Sequence, residues 1–146
     1  LIYTIGISVL SFIIGNFFAI LLAVMRMSQK PWLKYPARIY ISFMRGVPML
    51  VVLFILYFGL PYVGIQIPAL LCAIIGFSTV SAAYMAEIFR SSISAVDKGQ
   101  WEAAQSLGLP QKPIIRHIIL PQALRIAVAP LAMSLLIWLR VPHWLL

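Results

Sequence analysis

The sequence LIYTIGISVLSFIIGNFFAILLAVMR, residues 1–26, is an apolar stretch that contains no charged residue before Arg26. A helix needs about 20 mostly apolar residues to cross the hydrocarbon core of a bilayer. The stretch therefore predicts a membrane-spanning helix. Small residues recur at every fourth position, which places them on one ridge and favours close packing against another helix. That ridge consists of Ser11, Gly15, Ala19 and Ala23.

The composition of the whole chain agrees with this class. Of its 146 residues, 63% are hydrophobic and 10% are charged, and the mean hydropathy is +1.03. Soluble domains are about half apolar and about one quarter charged, so lipid must solvate much of this surface. The sequence has no phosphate-binding glycine loop, no metal-ligand spacing and no nucleophile beside a base. We therefore expect no enzyme activity and no cofactor bound by this chain.

Three further apolar segments follow the first. The second and fourth are short for a spanning helix and need their flanking residues or a neighbouring helix to cross the bilayer. The pattern predicts an all-α, polytopic membrane protein across residues 1–146. Its predicted spans are about residues 1–25, 44–62, 67–88 and 122–139.

The basic residues predict the orientation of these spans. Ten of the eleven Lys and Arg residues follow the first or the third span, and the linker between the second and third spans carries no charge. The positive-inside rule makes the basic side cytoplasmic. A nucleic-acid partner is not expected, because the basic residues lie between apolar runs rather than on a soluble face. The cytoplasmic set is Arg26, Lys30, Lys34, Arg38, Arg45, Arg90, Lys98, Lys112, Arg116 and Arg125.

The cytoplasmic segment DKGQWEAAQSLGLPQKPIIRHIILP, residues 97–121, is the most informative part of the chain. Asp97 and Gln100 form a capping-box pattern at the start of a short helix. Trp101, Ala104 and Leu107 share one face of that helix. Gly108 is a typical helix stop.

A second short helix is predicted at Ile114–Leu120, between Pro113 and Pro121. The segment would then form a rigid helix-turn-helix between two spans. From pattern alone, this element is either an interfacial connector or a helix that docks on a cytoplasmic partner.

A family resemblance favours docking. Glu102-Ala103-Ala104, Gly108, Ile118 and Leu120-Pro121 match the EAA loop of ABC-importer permeases at every position: E-A-A, three residues, G, nine residues, I, any residue, L-P. The resemblance implies a coupling helix that docks on a separate ATP-binding subunit. Its residues would be Gln100, Trp101, Glu102, Ala103, Ala104, Leu107, Gly108 and Leu109.

Further motifs resemble the polar amino acid (histidine/glutamine-type) permeases. They include Tyr40-Ile41, Arg45-Gly46-Val47-Pro48, Ala83-Tyr84 and Pro121-Gln122-Ala123, and the second departs mildly at Val47, where a small hydroxyl residue is usual. The structural motif residues implied by both resemblances are Arg45, Gly46, Pro48, Glu87, Arg90, Ile118, Leu120 and Pro121.

The resemblance implies a type I ABC-importer permease fold with about four of its five core spans present. It implies a multi-pass permease subunit in the bacterial cytoplasmic (inner) membrane, which moves polar amino acids by alternating access. The implied partners are an ABC ATP-binding subunit that binds the ATP, a second permease subunit, an extracytoplasmic solute-binding protein and membrane lipid.

Arg45 and Glu87 are the ionisable residues nearest to the spans. Such residues are costly in a membrane and are often functional. Both are predicted at cytoplasmic ends, where long side chains reach water. We therefore expect Arg45 to fix the entry of the second span and Glu87 to pair with Arg90 or another cation.

The two ends of the sequence depart from the family. The chain starts at Leu1 within an apolar run, which suggests a fragment, and after Leu131 the family motif is replaced by the tail 132–146. A shifted reading frame near Ala132 would restore Lys-Gly-Thr-Ser-Leu, so we expect a frameshift. Two alternatives to a working importer therefore stay open: a truncated, non-functional permease remnant and a gradient-driven secondary transporter. The second alternative requires ionisable residues near the bilayer midplane, and residues 70–82 contain none.

Overall fold

The computed structural model describes residues 2–140, and these residues form helices and turns without a strand. The predicted all-α fold is thus confirmed for the described part of the chain. Leu1 and residues 141–146 of the divergent tail lie outside the described residues. The helices are α1 (Ile2–Met27), α2 (Pro31–Gly46), α3 (Met49–Tyr62), α4 (Ala69–Ser94), α5 (Lys98–Ser106) and α6 (residues 111–140).

Three of these helices, α1, α4 and α6, are long and apolar enough to cross a membrane. Helices α2 and α3 meet at an angle of 102° and give a fourth span if the bent pair is counted as one. The break follows from Pro48, since the residue before a proline is pushed out of the helical region. Val47 is accordingly extended, with φ −93° and ψ 128°. The straight helix of the second segment therefore begins at Met49 rather than near residue 44.

Helices α1 and α4 form the centre of the bundle. The predicted ridge of small residues is confirmed, because Ser11, Gly15, Ala19 and Ala23 are all buried. The hydroxyl of Ser78 donates a hydrogen bond to the carbonyl of Ser11 over 3.3 Å. Such short side chains let two helix backbones approach closely in lipid, where packing rather than hydrophobicity drives association.

Helix α6 corrects the prediction for the loop. A separate short helix that ends at Pro121 was predicted, and this is wrong: the helix continues through Pro121 to residue 140. The turns before the proline, Ile114–Ile119, are π-helical. Proline lacks an N–H and crowds the carbonyl four residues earlier, and a wider π-helical turn accommodates both defects. Residues 111–121 are therefore continuous with the last candidate span.

Helix α5 packs on the beginning of α6. Val96, Ala104, Ile114, Ile119 and Ala123 form one buried cluster. These residues come from the linker after α4, from α5 and from the first three turns of α6. Burial of their apolar surface fixes the short helix to the bases of two long helices.

Candidate functional site: helix α5 and the motif residues

The start of α5 is capped as the sequence predicts, but only on one side. The carboxylate of Asp97 accepts a hydrogen bond from the Gly99 amide over 2.8 Å. The reciprocal bond expected from Gln100 to the helix start is replaced by another. The side-chain oxygen of Gln100 accepts a hydrogen bond from the side-chain amide of Gln122 over 3.3 Å. This bond ties the first turn of α5 to α6, and sequence spacing gave no signal for it.

The two faces of α5 differ sharply in exposure. Ala104 is 3% exposed, and Trp101 packs against the same buried cluster. Leu107 does not share this environment, since it is 79% exposed. It is the residue after the helix, with ψ near 2°, and therefore leaves the predicted common face. Five further predicted coupling residues are also solvent-exposed: Gln100, Glu102, Ala103, Gly108 and Leu109.

The end of α5 is a Schellman motif. Gly108 has a positive φ of +71°, and its amide donates to the carbonyl of Gln105 over 2.9 Å. The amide of Leu109 donates to the carbonyl of Ala104 over 3.3 Å. This pair of bonds defines the motif and favours glycine at the left-handed position. The predicted helix stop at Gly108 is confirmed.

We expect replacement of Gly108 with alanine to lower the free energy of unfolding by about 1 kcal/mol, because an L-residue in the left-handed region is strained. A Cβ atom at Gly108 would meet nothing within 4 Å, so the loss reports backbone strain alone. Gly108→Asn should cost less, since asparagine tolerates this region. Unfolding in mixed detergent micelles measures the difference.

Gly46→Ala is the matched control for that change. A Cβ atom at Gly46 also meets nothing within 4 Å, and its φ is not positive. An equal loss of stability in Gly46→Ala and Gly108→Ala would contradict the assigned role of the turn.

The remaining loop-motif residues line the base of α6. Ile118 packs against the buried cluster of α5 and α6. Leu120 is partly exposed and borders an apolar cavity beside α1, and Pro121 follows the π-helical turns. These residues therefore shape the joint between α5 and the last span.

Glu87 is the centre of an ion-pair network at the basic end of the bundle. Its carboxylate accepts hydrogen bonds from Arg90 Nε over 3.0 Å and from Arg90 Nη2 over 2.6 Å. The second carboxylate oxygen pairs with the Arg26 guanidinium of α1. The predicted pairing with Arg90 is confirmed. Sequence reasoning missed Arg26, although its position at the end of the first span was a usable signal.

Replacement of Glu87 with glutamine is expected to destabilise the chain by about 2 kcal/mol, because hydrogen bonds to charged groups contribute roughly that much. Two partly buried guanidinium groups would lose their shared counter-charge. The same change at Glu102, which is exposed and has no ion pair among the described residues, should alter stability by less than about 0.5 kcal/mol. Equal effects on detergent unfolding would refute the network.

Arg45 lies at the break between α2 and α3. Its guanidinium stands 5.7 Å from the centre of the Tyr84 ring, and the Tyr84 hydroxyl donates to the Arg45 carbonyl over 3.4 Å. Both contacts hold the end of α2 against α4.

An open cavity of about 470 Å³ adjoins this break. It is bordered by the loop Arg45–Pro48, by Tyr84 and Val80 of α4, and by Ser134 of α6. Gly46 and Pro48 thus contribute a wall of the cavity as well as the bend. Ser134 was not predicted, because it lies in the divergent tail.

No group of three or more His, Cys, Asp or Glu that could hold a metal ion occurs within the described residues.

Comparison with known proteins identifies the family. The model of the binding-protein-dependent transport system inner membrane component matches residues 15–139. The chain belongs to this family. The match extends beyond Leu131, where the sequence motifs place the end of the resemblance. Membership places the chain in the bacterial inner membrane.

Curated relatives share much of the sequence of this chain. The probable amino-acid ABC transporter permease protein YckA of Bacillus subtilis is 58% identical over 92% of the chain and 59% of its own length. The L-cystine transport system permease protein TcyB of the same organism is 40% identical over 89% of the chain and 56% of its own length. The chain thus spans little more than half the length of these relatives.

A solved structure supports the fold. The match to an amino acid ABC transporter crystallised with histidines covers 96% of this chain and 65% of the transporter's chain, with a TM-score of 0.94 and 38% identity. The inward-facing methionine transporter MetNI matches with a TM-score of 0.70 at 23% identity, which concerns the fold alone. The fold is that of the type I ABC-importer permeases.

Proposed function

We propose that the chain acts as the membrane-spanning permease subunit of an ATP-binding-cassette importer for polar amino acids. The exposed and rigidly mounted helix α5 is the observation that carries the proposal. The named relatives support the substrate class, since they are permeases of a probable amino-acid transporter and of an L-cystine transport system.

The mounting of α5 suits the transmission of force. Its inner face is fixed by burial of Ala104 and by the Gln100–Gln122 hydrogen bond. Its outer face leaves Glu102, Ala103 and Leu107 free for a partner. A push on α5 reaches α6 through the buried cluster and reaches α4 through Val96. A separate ATP-binding subunit would drive the spans between inward-open and outward-open arrangements in this way.

The proposal assigns the remaining roles to partner chains. A second permease subunit, identical or homologous, completes the pathway, and an extracytoplasmic solute-binding protein delivers the amino acid. ATP binds the ATP-binding subunit. No bond is made or broken in this chain, so it is not itself an enzyme.

Uptake by the reconstituted complex tests the proposal. Proteoliposomes would hold the chain with the ATP-binding subunit and binding protein of its own system, and uptake of labelled glutamine, histidine, cystine and leucine would be compared. We expect uptake of one or more of the polar amino acids that requires enclosed ATP and survives a protonophore. Uptake that needs no ATP and is abolished by a protonophore indicates a gradient-driven transporter. A chain that binds no ATP-binding subunit is a non-functional remnant.

A further inference from the structure

A basic cavity lies where α1, α2 and α4 meet, and the function proposed above does not use it. Its volume is about 350 Å³. Four cationic side chains from three helices converge on it, together with Met27 and Ser94. The cations are Arg26, Lys34, Arg38 and Arg90.

The charge of this cavity is not balanced by the protein. The chain has only three Asp and Glu residues, and the one that pairs here, Glu87, is shared between Arg26 and Arg90. No ion pair joins Lys34 or Arg38 to an acid within the part of the chain that the structure describes. Clustered cations without counter-charges repel each other, so the cavity favours an anion.

An apolar cavity of about 310 Å³ borders the basic one, and Met27 lines both. Side chains of α1, α4 and α6 form its walls, including Val24, Phe89 and Leu124. The pair of cavities therefore suits a ligand with an anionic head and an apolar chain.

Helix α2 supplies an independent indication of a membrane surface. Residues at spacings of three and four put one exposed apolar stripe along it, while Ala37 and Ile41 on another face are buried. Aromatic residues and exposed apolar stripes of this kind lie at the boundary between head groups and acyl chains. The stripe consists of Trp32, Tyr35, Ile39 and Phe43, which are 82%, 60%, 68% and 63% exposed.

We propose that the basic cavity binds the phosphate of an anionic phospholipid, and that an acyl chain of that lipid occupies the adjoining apolar cavity. Lys34 and Arg38 are the residues that bind the head group, since Arg26 and Arg90 also hold Glu87. Basic pockets between membrane helices on the cytoplasmic side are suited to anionic head groups. The site is independent of the transport activity proposed above.

The test measures lipid binding to the purified full chain by native mass spectrometry. Phosphatidylglycerol and phosphatidylcholine with identical acyl chains would be titrated in detergent. We expect phosphatidylglycerol to bind about tenfold more tightly, and the Lys34→Gln/Arg38→Gln variant to lose most of that preference. The charge-conserving Lys34→Arg/Arg38→Lys variant should keep it, and circular dichroism verifies that each variant is folded.

Lys112→Gln/Arg116→Gln is the matched control. It removes the same two residue types, at the same spacing of four, from exposed positions at the start of α6. An equal loss of the preference for phosphatidylglycerol in both double variants would show non-specific attraction between basic residues and anionic lipid, and would overturn the proposal. So would equal binding of both lipids to the unchanged protein.

The last comparison separates a lipid from a soluble anion. Inorganic phosphate and glycerophosphoglycerol, which carry the anionic group without acyl chains, should not displace bound phosphatidylglycerol at matched concentration. Displacement by either would assign the cavity to a free anion and overturn the lipid proposal.

Discussion

Replacing Glu102 with lysine is expected to reduce ATP-driven uptake at least tenfold while leaving the fold of the chain intact. Glu102 is exposed on the outer face of α5 and has no ion pair among the described residues. If it meets a positive group of the ATP-binding subunit, reversal of its charge replaces attraction with repulsion at the docking surface. Loss of one partner in such a pair costs about 2–5 kcal/mol. Uptake and binding of the ATP-binding subunit should therefore fall together.

Gln111→Lys controls for the added charge. Gln111 is exposed and follows the turn beyond α5, so it tests a lysine that lies near α5 but outside it. We expect near-normal uptake from this variant. Uptake by Glu102→Gln should lie between that of Glu102→Lys and that of Gln111→Lys. A Glu102→Lys variant that still binds the ATP-binding subunit and transports normally would remove α5 from the coupling role.

Hydropathy and charge were sufficient to predict the class of this chain, because a bilayer imposes a length and a polarity on every span. Local signals were equally reliable where a single residue decides the backbone. Gly108 ends α5 because only glycine adopts its left-handed conformation without strain. Pro48 carries an equally local signal that the predicted span 44–62 passed over, since it forces Val47 out of the helix and separates α2 from α3.

Predictions from sequence failed where a distant contact or a change of helix type decides the outcome. Pro121 does not end its helix, since the preceding π-helical turns accommodate it. Gln100 bonds to Gln122 rather than to its own helix end, and Glu87 reaches Arg26 from another span. The last two contacts do not follow from spacing along one helix, because each depends on how the helices pack.

The packing of α1 against α4 carries the other large prediction. Gly15→Val is expected to lower the free energy of unfolding by about 3 kcal/mol or more, at the upper end of what overpacking a buried contact costs. A Cβ atom at Gly15 would overlap the Ser81 hydroxyl oxygen and would come within 3.2 Å of the Ser78 carbonyl oxygen. That carbonyl belongs to the backbone of α4, so it cannot rotate away. The two central helices would have to separate.

Gly6→Val is the matched control, because Gly6 lies in the same helix and a Cβ atom there meets nothing within 4 Å. Valine has a slightly better helix propensity than glycine, so this variant should be no less stable than the unchanged chain. Unfolding in mixed micelles of sodium dodecyl sulfate and a mild detergent measures both. Equal stability of the two variants would mean that α1 and α4 do not approach each other at Gly15.

A double variant separates steric overlap from other causes of a loss of stability on substitution of Gly15. Gly15→Ala should destabilise less than valine but still measurably, since its methyl group meets the Ser81 side chain first. Ser81→Gly removes that side chain and leaves only the Ser78 carbonyl oxygen within 3.2 Å. The combined Gly15→Ala/Ser81→Gly variant should therefore be more stable than the sum of the two single changes predicts. If the two changes in the free energy of unfolding simply add, the cost of Gly15→Ala comes from the helix backbone. A clash with the Ser81 side chain would disappear when that side chain is removed.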